Sequence, residues 1–196
     1  MTGLHEPKDE AVSSEAQWTL LVAHPDTPGE FVWRIAAEIR LDGANLLCSY
    51  TLYGDMAHVR LPGTQAGRRA DGLWEHTCFE TFVAPEGLPG YYEFNFSPSL
   101  DWAAYRFEDY RHAMAPAALA RAPGLHVRRT AERLELTATV HLEGLADLAQ
   151  ARALRLGIAA IVEDDGGTLS YWALKHAPGN PDFHHPDAFA IELDAP

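Results

Sequence analysis

Short apolar segments separated by turn residues make up the chain from residue 17 onward. Residues 31–41 alternate between two sets of side chains, of which the apolar set comprises Phe31, Trp33, Ile35, Ala37, Ile39 and Leu41. A period of two predicts a strand with one buried and one solvated face. Similar segments recur to the end of the chain and predict about ten strands.

Turn signals separate these strands. The sequences DGAN, PEGLPG and DDGG each lie between two apolar segments and favour hairpins. Residues 54–72 hold four Gly, one Pro and two adjacent Arg, which predicts a long surface loop. Two stretches, residues 114–122 and 143–153, are candidates for short helices. The pattern therefore predicts an all-β protein, either a β-sandwich or a jelly roll, with at most two short helices.

The organisation along the chain is simple. Residues 1–16 are polar and acidic without periodicity, which predicts a flexible leader. Residues 17–196 have the length and pattern of one β-sandwich domain. The first residues lack a basic start followed by an apolar run, and no apolar stretch approaches 18 residues. We therefore expect a cytoplasmic location.

Charge and cysteine content narrow the classes of partner. The net charge of −13 and the isoelectric point of about 5.1 disfavour phosphate backbones and anionic lipids, so neither nucleic acid nor membrane is expected as a partner. Cys48 and Cys78 fall on separate predicted strands. They are interpreted as small buried apolar residues rather than as a disulfide.

A polar stripe is predicted on one hairpin. Glu93, Asn95 and Ser97 share one face of their strand, and Cys78 and Glu80 share a face of the preceding strand. The register that groups all the apolar side chains also sets Glu80 beside Glu93 and Asn95. A shift by one residue would bury Glu80 among phenylalanines at a cost of several kcal/mol.

Aromatic residues flank this stripe, namely Trp74, Tyr91 and Trp102. Carboxylates and amides that hydrogen-bond hydroxyls, next to rings that stack on C–H faces, are typical of sugar sites. A plain solvated face is the alternative. Two carboxylates could also act as acid and base in glycoside hydrolysis.

A second polar cluster lies near the end of the chain, in residues 171–189. Its members are Trp172, His176, Asp182, His184, His185 and Asp187. Histidine and aspartate at such spacing are possible ligands of zinc or another transition metal. Adjacent His184 and His185 would point in opposite directions if extended. A loop held by side-chain hydrogen bonds is therefore the preferred interpretation.

Catalytic and cofactor motifs are missing from the sequence. It has no nucleophile elbow, no GxGxxG, no P-loop and no HExxH. Met56 and Met114, together with a histidine, are candidate axial ligands of haem. Core packing explains a methionine better in most proteins.

Three segments resemble the bacterial DOMON-like family, which is similar to family 9 carbohydrate-binding modules. They read LWEHTCFETFVA, YYEFNFSPSLDWAAYRFEDYR and LGIAAIVEDDGGTLSYWALKHAPGNPDFHHPDAFAIEL. The resemblance runs from about residue 17 to the end and implies an antiparallel jelly-roll sandwich that binds either a sugar or haem. It departs from the haem-binding relatives because neither methionine falls in their pattern. The family-typical positions here are Trp74, Glu75, Glu80, Glu93, Asn95, Ser97, Trp102, Tyr105, Trp172, His176, Asp182 and His184.

The leading hypothesis is a non-enzymatic binding module for a saccharide-like small molecule, with no cofactor. Its expected ligand-binding residues are Trp74, Glu80, Glu93, Asn95, Ser97, Trp102, Tyr105, Trp172, His176, Asp182 and His184. In this hypothesis a tryptophan stacks on the sugar ring while the carboxylates hold its hydroxyls. The alternatives are a haem- or metal-binding protein, a sugar-acting enzyme and a protein-interaction domain.

Overall fold

The computed structural model describes residues 18–195, so the acidic leader lies outside the described residues. Twelve strands, one short helix and two 3-10 turns form the described part of the chain. The strands are β1 (Trp18–Ala23), β2 (Val32–Asp42), β3 (Asn45–Gly54), β4 (Cys78–Pro85), β5 (Tyr91–Phe96), β6 (Trp102–Phe107), β7 (Ala115–Pro116), β8 (Gly124–Arg129), β9 (Arg133–His141), β10 (Ala153–Glu163), β11 (Leu169–Ala173) and β12 (Ile191–Asp194). The helix is α1 (Ala146–Gln150), and the 3-10 turns are Leu73–Glu75 and Pro186–Ala188.

All strand pairs are antiparallel. The order is β7-β6-β5-β4-β10-β11-β1-β2-β3-β9-β8. Strand β12 pairs with the first four residues of β10, from Ala153 to Leu156. This continuous sheet folds back on itself, so that β1, β2, β3, β9 and β8 form one layer and the remaining strands form the other. Buried side chains from both layers meet in one core, for example Ile35 and Leu52 from the first layer and Phe94 and Leu156 from the second. The predicted antiparallel β-sandwich is confirmed.

The predicted alternation in β2 holds from Ile35 onward but is wrong at the start of the strand. Ile35, Ala37 and Ile39 are buried as expected. A β-bulge between Val32 and Arg34 shifts the register against β3, so Val32 turns inward and Trp33 is 62% exposed. A bulge adds one residue to one strand and thereby reverses the phase of the alternation on one side of it.

The layer that contains β4, β5 and β6 is covered on both faces. Its inner face contributes Phe79, Phe94 and Phe96 to the inter-layer core. Its outer face has an apolar cluster of its own, which includes Phe82 and Phe107 from the strands and Phe183 and Phe189 from the segment between β11 and β12. A strand buried on both faces reads as a continuous apolar run, and this holds for β4 and β5 except at a few polar positions.

The predicted hairpin register is confirmed. Glu80 pairs with Asn95 across β4 and β5, and Phe82 pairs with Glu93. Asn95 and Glu93 in turn pair with Ala103 and with Tyr105 on β6. Since side chains alternate along each strand, Glu80, Glu93 and Asn95 all lie on the outer face of this layer.

Of the two candidate helices, residues 146–150 are helical, whereas residues 114–122 are not. Ala115 and Pro116 form the short edge strand β7 against β6. Proline removes a hydrogen bond from a helix interior but is tolerated in an edge strand, which explains this outcome. Residues 55–72 form the expected long connection, joined to the sheets by two isolated bridges. Cys48 and Cys78 are buried free thiols, as expected. No helix within residues 18–195 is long and apolar enough to cross a membrane.

Candidate ligand-binding site

A pocket of about 360 Å³ opens on the outer face of β4 and β5. Its volume lies in the range of small-molecule sites, which are about 300–1,000 Å³. Strands provide the floor, and loops provide the walls. The lining residues are Trp74, Glu80, Glu93, Phe107, Arg111, Met114, Ile161, Tyr171, Pro181, Phe183 and His184.

Two glutamates form the polar part of the floor. Glu80 on β4 is 3% exposed and Glu93 on β5 is 5% exposed. Asn95 Nδ2 donates to Glu93 Oε1 at 2.7 Å. Within residues 18–195 the Glu80 carboxyl group has no hydrogen-bond partner; its cross-strand neighbours are Asn95 and Ala159. The floor therefore offers a ligand one carboxyl group without a partner and one that is partly satisfied.

Burial changes the protonation of this pair. Desolvation raises the pKa of Glu93 to about 7, against the lowering effects of the Asn95 hydrogen bond and the Arg111 charge. Desolvation, followed by the charge of Glu93, raises the pKa of Glu80 well above its ordinary value. Two like charges in one apolar site disfavour joint ionisation. The pair thus holds a proton to higher pH than two free carboxyl groups do.

His184 lies on the wall next to Glu93. The Tyr91 hydroxyl is 2.7 Å from His184 Nδ1, and His184 Nε2 is 3.8 Å from Glu93 Oε2. When Tyr91 donates to Nδ1, the imidazole carries its proton on Nε2 and directs it toward Glu93. Burial, reinforced by the charge of Arg111, lowers the pKa of His184 to about 4. This histidine is accordingly neutral at neutral pH.

Two loops are joined across the pocket by Asp182. Arg111 Nη2 donates to Asp182 Oδ1 at 2.8 Å, and Tyr110 donates to the other oxygen. The backbone N–H of His184 donates to Asp182 Oδ1 at 3.1 Å. Burial tends to raise the pKa of Asp182, but the Tyr110 and Arg111 hydrogen bonds outweigh it and lower that pKa. Arg111 and Ala113 have positive φ angles of 49° and 53°, so the loop after β6 adopts a conformation that non-glycine residues rarely take.

Trp74 lies at the entrance to the pocket. It sits in the 3-10 turn that follows Gly72, whose φ of 75° lets the chain reverse there. Its ring packs edge-on against Tyr105, with centroids 5.8 Å apart. The Tyr105 hydroxyl donates to Asp71 at 2.7 Å, so this ring is held in place beside Trp74. The indole is partly exposed and can be reached by a ligand.

The structure brings together part of the predicted set. Trp74, Glu80, Glu93 and His184 line the pocket. Three further residues support these four without lining the pocket: Asn95 bonds Glu93, Tyr105 packs on Trp74, and Asp182 bonds the backbone N–H of His184.

The other four predicted residues lie away from the pocket. Trp102 and Trp172 belong to inner faces and pack in the inter-layer core, and Trp172 Nε1 donates to Ser170 Oγ at 3.0 Å. We expected either ring to stack on a ligand. The alternation of side chains along β6 and β11 instead directs both rings into the core, so neither stacks on a ligand in this pocket. Ser97 holds the turn after β5 by bonding Ser99. His176 Nε2 donates to the Val22 carbonyl at 2.8 Å, next to β1.

Sequence reasoning missed the rest of the lining. Arg111 comes from a loop, where the periodicity of side chains does not predict position. Ile161 comes from a strand that is apolar on both faces, so no polar residue marks it as part of a site. In the sequence, the aromatic residues Tyr91 and Trp74 next to the polar stripe of Glu80, Glu93 and Asn95 were the signal that could indicate a site there. Among the candidate haem ligands, Met56 is fully buried in the core, while Met114 lines the pocket.

A metal site does not form from the second polar cluster. Within residues 18–195, no three His, Cys, Asp or Glu side chains are grouped as metal ligands. His184 faces Glu93, whereas His185 Nδ1 accepts from the backbone N–H of Asp187 at 3.2 Å. The preferred interpretation, a loop held by His and Asp hydrogen bonds, agrees with these contacts.

Solved structures show what this architecture is similar to. A candidate carbohydrate-binding protein from Bacteroides uniformis matches with a TM-score of 0.69 and 18% identity, over 91% of this chain and 86% of that chain. A family 9 carbohydrate-binding module (CBM9) from Caldicellulosiruptor kristjanssonii, in complex with glucose, matches at 0.54 and 8%, over 99% and 91%. The fold is a β-sandwich similar to that of CBM9 modules.

A CBM9 module from C. kristjanssonii in complex with cellotriose also matches, with a TM-score of 0.52 and 9% identity over 92% of this chain and 83% of that chain. At such identities the likeness establishes the CBM9-like fold alone. A scan against protein-family models finds no matching family, and a search of curated proteins finds no significant match.

Proposed function

We propose that this CBM9-like chain is a non-enzymatic binding module for a small saccharide, held in the pocket on the outer face of β4 and β5. The observation that carries the proposal is the combination of two buried carboxyl groups on the floor with a tryptophan at the entrance. Sugar binding by the structurally similar modules supports it. The family resemblance at Trp74, Glu80 and Glu93 is consistent with it.

The pocket suits a hydroxyl-rich ring. Trp74 presents an aromatic surface to the C–H groups of a sugar, and this contact buries apolar area of both partners. Glu80 and Glu93 exchange hydrogen bonds with hydroxyl groups, as acceptors when ionised and as donors when protonated. The His184 Nε2 proton is a further donor at the same depth. The ring would thus be bound at its edge by polar groups and on its face by the indole.

The position of the carboxyl groups favours binding over hydrolysis. Glu80 is opposite Asn95 and Glu93 is opposite Phe82, so the two glutamates are diagonal neighbours on adjacent strands. Both therefore approach a ligand from the same side. Glycoside hydrolysis by two carboxyl groups needs them to flank the scissile bond.

Calorimetric titration with mono- and oligosaccharides tests the proposal. Trp74→Ala should weaken binding of whichever sugar binds by about ten-fold, or about 1.4 kcal/mol, because it removes the stacking contact and the apolar area that this contact buries. Trp33→Ala is the matched control, since that tryptophan is exposed on the other layer and should leave the affinity unchanged. Binding that is equally strong in both variants would place the ligand elsewhere. A broad panel without any binding sugar would refute the function itself.

A further inference from the structure

The floor of the pocket has a deficit of positive charge. Glu80 is only 3% exposed and lines the pocket, and its carboxyl group has no hydrogen-bond partner within residues 18–195. A buried polar group without a partner costs about 1–3 kcal/mol, and more when charged. Proteins retain such a group where something outside the chain supplies the partner.

The protein's own cations do not fill this deficit. Arg111 lines the pocket, but its guanidinium group is engaged by Asp182 at 2.8 and 3.2 Å. His184 is neutral at neutral pH because its pKa is lowered to about 4, and its closest approach to Glu93 is 3.8 Å. Cys78, which shares a face of β4 with Glu80, is buried and brings no positive charge.

We infer that the ligand carries a protonated amine, and that this ammonium group sits between Glu80 and Glu93 at the floor of the pocket. The inference rests on the proposed function and narrows its ligand class to an amino sugar. An ammonium group has three N–H donors, enough to serve both carboxylates at once, and hydrogen bonds between ionised partners are about twice as strong as neutral ones. A neutral hydroxyl supplies one donor, enough for one carboxylate, and does not favour ionisation of the other carboxyl group.

A metal ion does not fit the same floor. Calcium takes about six to eight oxygen ligands, and magnesium an octahedral set. The described part of the chain brings no third carboxylate or histidine into a common metal-binding group here. Trp74 at the entrance gives the other end of the ligand an aromatic surface, which suits a sugar ring.

Binding of an ammonium group would also displace a proton. Without a bound cation the carboxyl pair holds a proton to higher pH than free carboxyl groups do, because burial raises the pKa of both groups and the charge of Glu93 raises the pKa of Glu80 further. A bound cation favours the ionised form of both groups, so the proton leaves to solvent as the ligand enters. A neutral sugar would bind without this release.

Isothermal titration with four matched probes decides the question, near pH 7 and in two buffers of different ionisation enthalpy. Glucosamine has the ring and the amine, glucose has the ring alone, N-acetylglucosamine has the amine neutralised, and cyclohexylamine has the amine alone. We expect glucosamine to bind at least about ten-fold more tightly than glucose or N-acetylglucosamine, with up to about one proton released. Glu80→Gln should abolish that preference, so that glucosamine and glucose bind this variant with affinities within about two-fold of each other.

Each outcome separates the inference from the proposed function. Glucose binding as tightly as glucosamine, with dependence on Trp74, overturns the ammonium site and keeps the sugar module. Cyclohexylamine binding as tightly as glucosamine keeps the ammonium site and overturns the sugar module. No binding of any of the four overturns both. Glu93→Gln provides a second variant if Glu80→Gln fails to fold, with the same loss of preference expected.

Discussion

The raised pKa of Glu93 makes a quantitative prediction about stability. Between pH 4.5 and about 7 the folded protein keeps a proton on Glu93 that the unfolded chain has already released, so the free energy of unfolding falls as pH rises through this window. The gap from 4.5 to about 7, at about 1.4 kcal/mol per pH unit, amounts to about 3 kcal/mol. Glu93→Gln cannot ionise and should escape this loss.

His184 acts in the opposite direction over part of the same range. Its pKa is lowered from 6.5 to about 4, so the unfolded chain binds its proton more readily and stability rises with pH between these values. The two contributions partly cancel in the parent protein. The difference between the parent and Glu93→Gln removes the histidine contribution. It also includes the relief of Glu80, whose pKa is raised in part by the charge of Glu93, and this acts in the same direction.

Urea unfolding followed by tryptophan fluorescence measures this difference, at several values from roughly pH 5 to pH 8. Relative to the parent, Glu93→Gln should gain up to about 3 kcal/mol across that range. Glu192→Gln is the control, because it makes the same chemical change at a residue that is exposed on β12 and does not line the pocket. A constant difference for Glu93→Gln would refute the argument, since it would mean that burial does not perturb this carboxyl group.

Three further predictions concern the framework. Gly90→Ala should destabilise the fold by more than about 1 kcal/mol, since Gly90 has a φ of 78° and a Cβ atom would strike the Phe107 carbonyl; thermal melting measures it. Tyr50→Phe should cost about 1–3 kcal/mol in urea unfolding, because the buried hydroxyl donates to the Glu80 carbonyl at 2.9 Å. Cys48, whose pKa is raised to about 12 by burial, should resist iodoacetamide in the folded protein and react once it is unfolded; labelling of the native state would contradict its burial.

Much of the fold was accessible from the alternation of side chains, and the exceptions have local causes. The pattern placed Glu80 beside Asn95 because only one register keeps the phenylalanines together. It failed at Trp33 because a bulge leaves no mark in composition. It failed at residues 114–122 because alanine favours a helix whereas Pro116 and the edge of β6 favour a strand.

Only about half of the candidate site could be predicted from the sequence. Glu80 and Glu93 lie on strands and are visible in the sequence as polar residues that interrupt apolar runs. Arg111 and Phe183 come from loops, whose positions depend on contacts between distant segments, so periodicity says nothing about them. Trp102 and Trp172 were attractive by residue type, but strand phase directs them into the core.

The division between a strand-built floor and loop-built walls has a consequence for evolvability. The walls meet through Arg111 and Asp182, which are 71 residues apart in sequence and are not part of the inter-layer core. Exchanging these two loops as a pair would alter which molecules are admitted while leaving the inter-layer core of the sandwich intact. Selection, or a designer, can in this way diversify recognition on one scaffold by rewriting two short segments in concert.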